Sequence, residues 1–253
     1  MHNSLAERVD DAARLGQAIP QLSKEADFSV ADAYDIQTAS MERRYARGER
    51  FVGLKLGFTS KAKRVQMGVD DLIWGRLTDA MQAPDGGEFS TTNSIHPRIE
   101  PEVAFILKKA ITRPISLPEA PQYIEAMAPA LEIIDSRYQN FQFSLADVVA
   151  DNCSSSGFIL GPYNKPDTDI HNLGMLLHIN GKLTHTGSSA AILGNPMRAL
   201  HEMARLALAY GQELPEGSII LAGAATPAVH IHAGDFVQLE MERLGNVSVS
   251  IGD

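Results

Sequence analysis

A single cysteine, Cys153, is all the thiol chemistry this 253-residue chain carries. No intrachain disulfide can form, and the paired-cysteine spacing of a zinc cluster is missing. No apolar run approaches the roughly 18 residues that span a bilayer. Met1 to Gln17 is charged throughout and has no signal-peptide core. These absences predict a cytoplasmic protein that does not enter membranes. Basic charge is scarce as well: 22 Lys and Arg against 31 Asp and Glu leave a formal net charge of −9. The densest basic stretches, Arg43-Arg44 and Lys61 to Arg64, are short, so nucleic acid and anionic lipid are unfavourable partners. Missing too are the G-x-S-x-G elbow, the G-x-G-x-x-G and Walker loops and H-E-x-x-H. His230 and His232 share a strand face but lack a third ligand partner.

What is present is a chain 44% hydrophobic, enough for a large core. The first 50 residues read as helical. Ser29 caps a helix with Asp32 three residues on, Tyr34, Met41 and Tyr45 follow at helical spacing, and Gly48 ends it. From Phe51 the texture changes to short strands. Phe51 to Phe58 alternates, with Val52, Leu54, Leu56 and Phe58 on one face, and Pro84 to Gly87 is a turn. Ile99–Leu107, Ala130–Ile134 and Val149-Ala150 read as strands. Asn180-Gly181 closes a hairpin between 175–179 and 182–186. A helix opens at Asn195-Pro196, buries Leu200, Met203 and Ala207, and stops before Gly211. Strands return at 218–222 and 236–251. Strands without regular helix alternation predict an α+β fold with a mixed, barrel-like rolled sheet. Residues 1–50 form its helical cap and 51–253 the catalytic region.

The chemistry concentrates in Arg98-Ile99-Glu100-Pro101-Glu102. Residues two apart on a strand share a face, so Glu100 and Glu102 point together, with Ala104 and Ile106 beyond them. Pro101 lacks a ladder donor and suggests an edge or bulge. Alone, such a pair is equally a strand end turned to water. Glu132 lies inside Ala130-Leu131-Glu132-Ile133-Ile134, where a bare carboxylate would cost several kcal/mol. It must pair, with Arg98 and Arg137 the candidate partners, take up a proton, or bind a cation. Three inward carboxylates favour Mg²⁺ or Mn²⁺ over zinc. Lys55 stands between Gly53 and Gly57, over backbone bare enough for a ligand to approach, or on a solvated face. Asp151 to Gly157 and Gly223 to Pro227 are small, polar loops that serve as plain turns or as anion cradles. Ser154, Ser155 and Thr226 are their substrate-binding candidates.

Taken together, these segments resemble the 2-keto-4-pentenoate hydratase and 4-oxalocrotonate decarboxylase family, a branch of the fumarylacetoacetate hydrolase superfamily. The resemblance runs through Ala33 to Gln37, Gly53 to Ser60, Gln66 to Val69, Pro97 to Glu102, Leu131 to Arg137, Ala150 to Ser155 and Ala190 to Pro196. It implies metal ligation by Glu100, Glu102 and Glu132, an active-site lysine at Lys55, and substrate contacts from Ser154 and Ser155. It also implies a loop at Asp71 to Ile73 that closes over substrate, with backbone contacts near Leu72. Cys153 departs from the family, where alanine is usual. Asp135 to Phe143, Gln66 to Val69 and Ile95 to Pro97 look more like the decarboxylases than the hydratases. The implied reaction converts 2-oxo-3-hexenedioate to 2-hydroxypenta-2,4-dienoate and CO₂ in meta-cleavage breakdown of aromatic compounds. The alternative is hydration of that dienoate. A homo-oligomer and a complex with the pathway's hydratase are both compatible with the resemblance.

Overall fold

The computed structural model describes residues 2–59 and 71–253. Ser60, the basic Lys61 to Arg64 stretch and Gln66 to Val69, which the sequence reading used, lie outside them. Two helices lead: α1 (His2–Leu15) and α2 (Val30–Ala46). The Ser29 hydroxyl accepts from the Asp32 amide while the Asp32 carboxylate accepts from the Ser29 amide, the reciprocal cap read from the sequence. Gly48 follows the helix with φ +103°.

The main sheet is mixed. Its order is β2 (Ile73–Thr78), β1 (Phe51–Gly57), β10 (Ile219–Leu221), β5 (Arg98–Leu107), β6 (Ile124–Ile134), β7 (Ser155–Leu160), β3 (Gln82–Ala83). β11 (Val229–His230) also pairs with β5. β1 with β10 and β3 with β7 run parallel, and the rest run antiparallel. A second sheet runs β4 (Glu88–Ser90), β13 (Gly245–Gly252), β12 (Phe236–Met241), β8 (Gly174–Ile179), β9 (Lys182–Ser188). Asn180 and Gly181 turn its β8–β9 hairpin at φ +53° and +74°, the pair of positive angles that the motif requires. This is the α+β, mixed-sheet architecture expected from the strand pattern. Among the described residues, no helix is long and apolar enough to cross a membrane.

The main sheet separates two apolar clusters, and this separation positions the site. Ile99, Val103 and Phe105 of β5, with Leu131 and Ile133 of β6, join the large cluster, which also takes Leu5, Val9, Tyr34 and Ile36 from α1 and α2. Ala104, Ala128, Ala130, Phe158 and Leu221 fill a smaller cluster on the other face. Period-2 alternation sends Glu100, Glu102, Glu132 and Lys55 to that second face.

Four local expectations are corrected. Val149-Ala150 is not a strand: it ends α3 (Leu145–Ala150), which Ser144 and Asp147 cap reciprocally. Apolar runs this short do not reveal their period, and the cap decides it. Val52 does not share a face with Leu54, because a register shift between Phe51 and Gly53 turns it to the smaller cluster. Phe58 leaves the strand altogether at φ +59°. Helix α4 begins at Met197 (Met197–Ala209), with the Asn195 side chain accepting the Met197 amide from just outside it.

Gly53 also has a different reason from the one its sequence context suggested. A Cβ there would lie 1.9 Å from the carbonyl oxygen of Ile219, so the glycine exists for the close approach of β1 to β10. Gly53→Ala is expected to cost at least about 3 kcal/mol, the upper range for overpacking. A urea-denaturation midpoint matching wild type would contradict that packing.

Candidate metal and substrate site

The register of β5 on β6 sets Glu100 directly opposite Glu132, with Glu102 opposite Ala130. Like charges facing each other across a ladder are destabilising. Each of the three glutamates can offer one oxygen such that all three oxygens lie within 4.8 Å of one another, and all three residues are buried. Glu102 Oε2 accepts the Gly223 amide at 2.7 Å. Its Oε1 and Glu132 Oε2 are buried with no hydrogen-bond donor among the described residues, and Glu132 Oε1 meets only the Lys55 ammonium. Burial pushes Glu132 up to about 7 despite the opposing pull of Lys55. Burial and the charges of Glu132 and Glu100 carry Glu102 well above the ordinary range. Orphaned oxygens converging from two strands fit a hard divalent cation, Mg²⁺ or Mn²⁺, better than any arrangement of the protein alone.

Pro101 lies on an interior strand, yet its ladder is locally open. β10 stops at Leu221 and β11 starts at Val229, so loop amides replace a strand there: Ala222 donates to Val103 O and Ala225 to Pro101 O. The missing proline donor faces that gap. An edge exists, but only over residues 100–103, made by the break between two partner strands.

Among the described residues, Lys55 is the cation that meets the cluster. Its Nζ lies 3.0 Å from Glu132 Oε1 and donates to the Cys153 carbonyl at 3.1 Å. Burial alone would push the ammonium down, but Glu132 and its neighbouring glutamates outweigh burial and hold it above the usual lysine range. The ion pair foreseen between Glu132 and Arg98 or Arg137 is therefore not formed. Arg137 instead binds Asp151 through its backbone amide and Nε, and it also donates to the carbonyls of Asp135, Asp151 and Ser155.

That arginine braces an unusual turn. Asn152, Cys153 and Ser154 carry φ of +47°, +53° and +58° in succession, a conformation costing of order 1–3 kcal/mol per residue. Asn152 clamps it from the other side by exchanging two hydrogen bonds with the Arg76 backbone. The turn aims the Cys153 carbonyl at Lys55 and leaves Ser154 Oγ buried without a partner among the described residues. Burial pushes the Cys153 thiol up to about 12, so it is uncharged near neutral pH, and its sulfur contacts the Trp74 carbonyl.

A cavity of about 450 Å³ opens over this assembly. Lys55, Glu100, Ser154 and Thr226 line it, together with Arg98, Phe141 and Phe143. Glu102 and Glu132 are fully buried behind that wall. Two expected residues are not brought to it. Leu72 packs into the large core, and the Ser155 hydroxyl turns toward the Met81 sulfur at 3.7 Å. Sequence reasoning passed over Arg98 and Phe141 as parts of this wall. Arg98 could have been found, because it shares the face of Glu100. Phe141 could not, because it lies on an irregular turn with φ +55°.

Comparisons with known proteins agree with this geometry. The fumarylacetoacetate (FAA) hydrolase C-terminal family matches residues 52–251. A 4-oxalocrotonate decarboxylase of a Pseudomonas species is 51% identical over 97% of this chain and 96% of its own. A 2-keto-4-pentenoate hydratase of Paraburkholderia xenovorans LB400 is 35% identical over 87% of this chain and 83% of its own. The solved 4-oxalocrotonate decarboxylase from Pseudomonas putida G7, complexed with magnesium and adipate, superimposes with a TM-score of 0.95. It is 37% identical, over 99% of this chain and 97% of that one.

Proposed function

The chain belongs to the fumarylacetoacetate hydrolase family, and on that premise we propose that it is a Mg²⁺- or Mn²⁺-dependent decarboxylase of 2-oxo-3-hexenedioate, releasing CO₂ and 2-hydroxypenta-2,4-dienoate. The observation that carries this reading is the buried set of Glu100, Glu102 and Glu132 beside Lys55, behind a substrate-sized cavity, in a chain 51% identical to a decarboxylase. The relative of known structure carries magnesium and adipate, a saturated dicarboxylic acid of the same carbon count as the proposed substrate.

Glu100, Glu102 and Glu132 would hold the cation. When bound, it supplies Lewis-acid polarisation of the substrate's C2 ketone. The bond that breaks joins C5 to C6. Its electron pair forms the C4–C5 double bond, the C3–C4 pair moves to C2–C3, and the carbonyl pair settles on the C2 oxygen. One proton must then arrive at that oxygen to give the enol product. Lys55, on the cavity wall and kept charged by its neighbours, would face the developing charge and deliver the proton. Ser154 Oγ, buried on the cavity wall with no partner among the described residues, would donate to a substrate carboxylate. Thr226, also on that wall, provides a second hydroxyl. Leu72 and Ser155 would reach substrate only if their segments moved. We place the reaction in the cytoplasm. Assembly as a homo-oligomer or with a hydratase belongs to the same reading and is checked by the mass in solution with and without that partner.

Comparing turnover of 2-oxo-3-hexenedioate with water addition to 2-hydroxypenta-2,4-dienoate tests the assignment. Decarboxylation should dominate, and the reverse preference would make the protein a hydratase.

Proton competition at the cluster has a definite sign. The folded-state value of Glu132, about 7, is raised above its ordinary 4.5. Without metal, its contribution to stability is therefore complete below about 4.5 and is lost as pH rises through about 7. Metal binding needs the carboxylate, so Mg²⁺ affinity should be about tenfold weaker near pH 6 than near pH 8. Calorimetric titration at both pH values measures this, and equal affinities would contradict it.

A further inference from the structure

We propose that Arg98 is the residue that recognises the far carboxylate of a dicarboxylic substrate and so separates dicarboxylic from monocarboxylic 2-oxo acids. This rests on the metal-dependent reading above and adds a specificity subsite to it.

Placement comes first. Arg98, Glu100 and Glu102 alternate along one face of β5. Two residues of strand span about 6.7 Å, comparable to an extended six-carbon chain. Arg98 and Glu100 line the same cavity. A molecule anchored at the glutamate end thus points its other end along the strand toward the guanidinium.

Partner accounting is the second argument. Arg137 is saturated by Asp151 and three carbonyls, and Arg76 by Gln37, Thr38 and Gln212. Arg98 differs. Among the described residues no carboxylate lies within ion-pairing distance of it, and its Nε is buried with no acceptor. A half-buried guanidinium in a cavity wall, its Nε cut off from water and with no anion among the described residues, is matched by a planar carboxylate.

Third, its position is fixed. The guanidinium carbon lies 3.8 Å from the Phe141 ring centroid. Phe141 in turn packs on Phe143 at 5.5 Å and on His96 at 5.2 Å. Asn140 and Phe141 both hold left-handed backbone, at φ +59° and +55°. That strain at two non-glycine residues places the ring under the arginine.

The chemistry decides which step Arg98 serves. The far carboxylate leaves as neutral CO₂, so a cation that grips it stabilises the ground state more than the transition state. Arg98 therefore contributes to binding and selection, while the aromatic rings beside it accept the uncharged product. Its removal should raise KM and leave kcat within about threefold.

The test compares adipate with hexanoate, which lacks the second charge, as ligands of the Mg²⁺-loaded protein by calorimetry, in wild type, Arg98→Gln and Arg98→Lys. Wild type should prefer adipate by at least about tenfold. Arg98→Gln should weaken adipate about 10- to 100-fold, the range of a charge-assisted hydrogen bond, and move hexanoate less than about threefold. Arg98→Lys, which keeps the charge and loses the fork, should fall between and shows that the fold survives. An Arg98→Gln protein that keeps its preference for adipate while wild type decarboxylates 2-oxo-3-hexenedioate overturns the assignment of Arg98 alone. A wild type that neither discriminates nor turns over that acid overturns the reading of function, and this proposal with it.

Discussion

Glu102→Gln should lower kcat/KM by about a thousandfold or more and, with metal absent, raise the melting temperature. Glutamine matches glutamate in shape, and its carbonyl can still accept the Gly223 amide. What is lost is one negative oxygen among three that converge. An active-site cation contributes several kcal/mol of charge stabilisation to the transition state, and each 1.4 kcal/mol is about tenfold in rate. The stability effect has the opposite sign. At neutral pH an unfolded glutamate is ionised. The folded protein must either keep that charge beside Glu100 and Glu132 or take up a proton, and both cost free energy. Glutamine escapes both. For a chain of this size each kcal/mol regained raises the melting temperature by roughly 2–4 °C. The gain should fade toward about pH 4.5, where the unfolded glutamate also protonates. Thermal melts with and without Mg²⁺ check this: wild type should be stabilised by the metal and the variant should not. A variant that loses activity yet keeps the full metal-induced shift would mean that Glu102 is not a ligand.

Lys55→Met separates the roles of the lysine in a similar way. The side chain is buried and its ammonium is the partner of Glu132. Removing it should lower kcat by about 10²- to 10⁴-fold if it manages the proton at the C2 oxygen. Metal-free protein should be destabilised by about 3–5 kcal/mol, because a buried carboxylate loses its countercharge. Mg²⁺ should then bind more tightly than in wild type, since one repelling cation has gone. Lys55→Arg should not restore turnover, because a guanidinium does not give up a proton. Calorimetry and single-turnover rates measure the two effects independently. Weaker Mg²⁺ binding in Lys55→Met would show that the lysine organises the carboxylates rather than opposing the metal.

The site's identity was legible because period-2 alternation is strict. Glu100, Glu102 and Glu132 could be assigned to inward faces without knowing which strands paired. What the pattern could not supply was register. Nothing local says that Glu100 faces Glu132, or that β1 reaches β5 through the short β10 so that Lys55 meets the same cluster. For that reason the alternative of an arginine partner for Glu132 fails: Arg137 pairs with Asp151, and Arg98 stacks on Phe141. The glycines flanking Lys55 were read as room for a ligand when Gly53 is filled by a neighbouring strand. Pro101 signalled an interrupted ladder correctly in kind, but the interruption comes from the gap between β10 and β11, a tertiary feature. The serine loop was visible as small and polar, yet its three consecutive left-handed residues depend on Arg137 and Asn152 and leave no sequence mark. Arg98 was in plain view on the right face; its lack of a partner could be learned only from the fold.

The most direct test of the account follows CO₂ from 2-oxo-3-hexenedioate, with the protein loaded with Mg²⁺, stripped with EDTA, and reloaded. The account predicts one CO₂ for each 2-hydroxypenta-2,4-dienoate formed, loss of that release on stripping, and its return with Mg²⁺. CO₂ release that survives complete stripping, or consumption of substrate without CO₂, would contradict it.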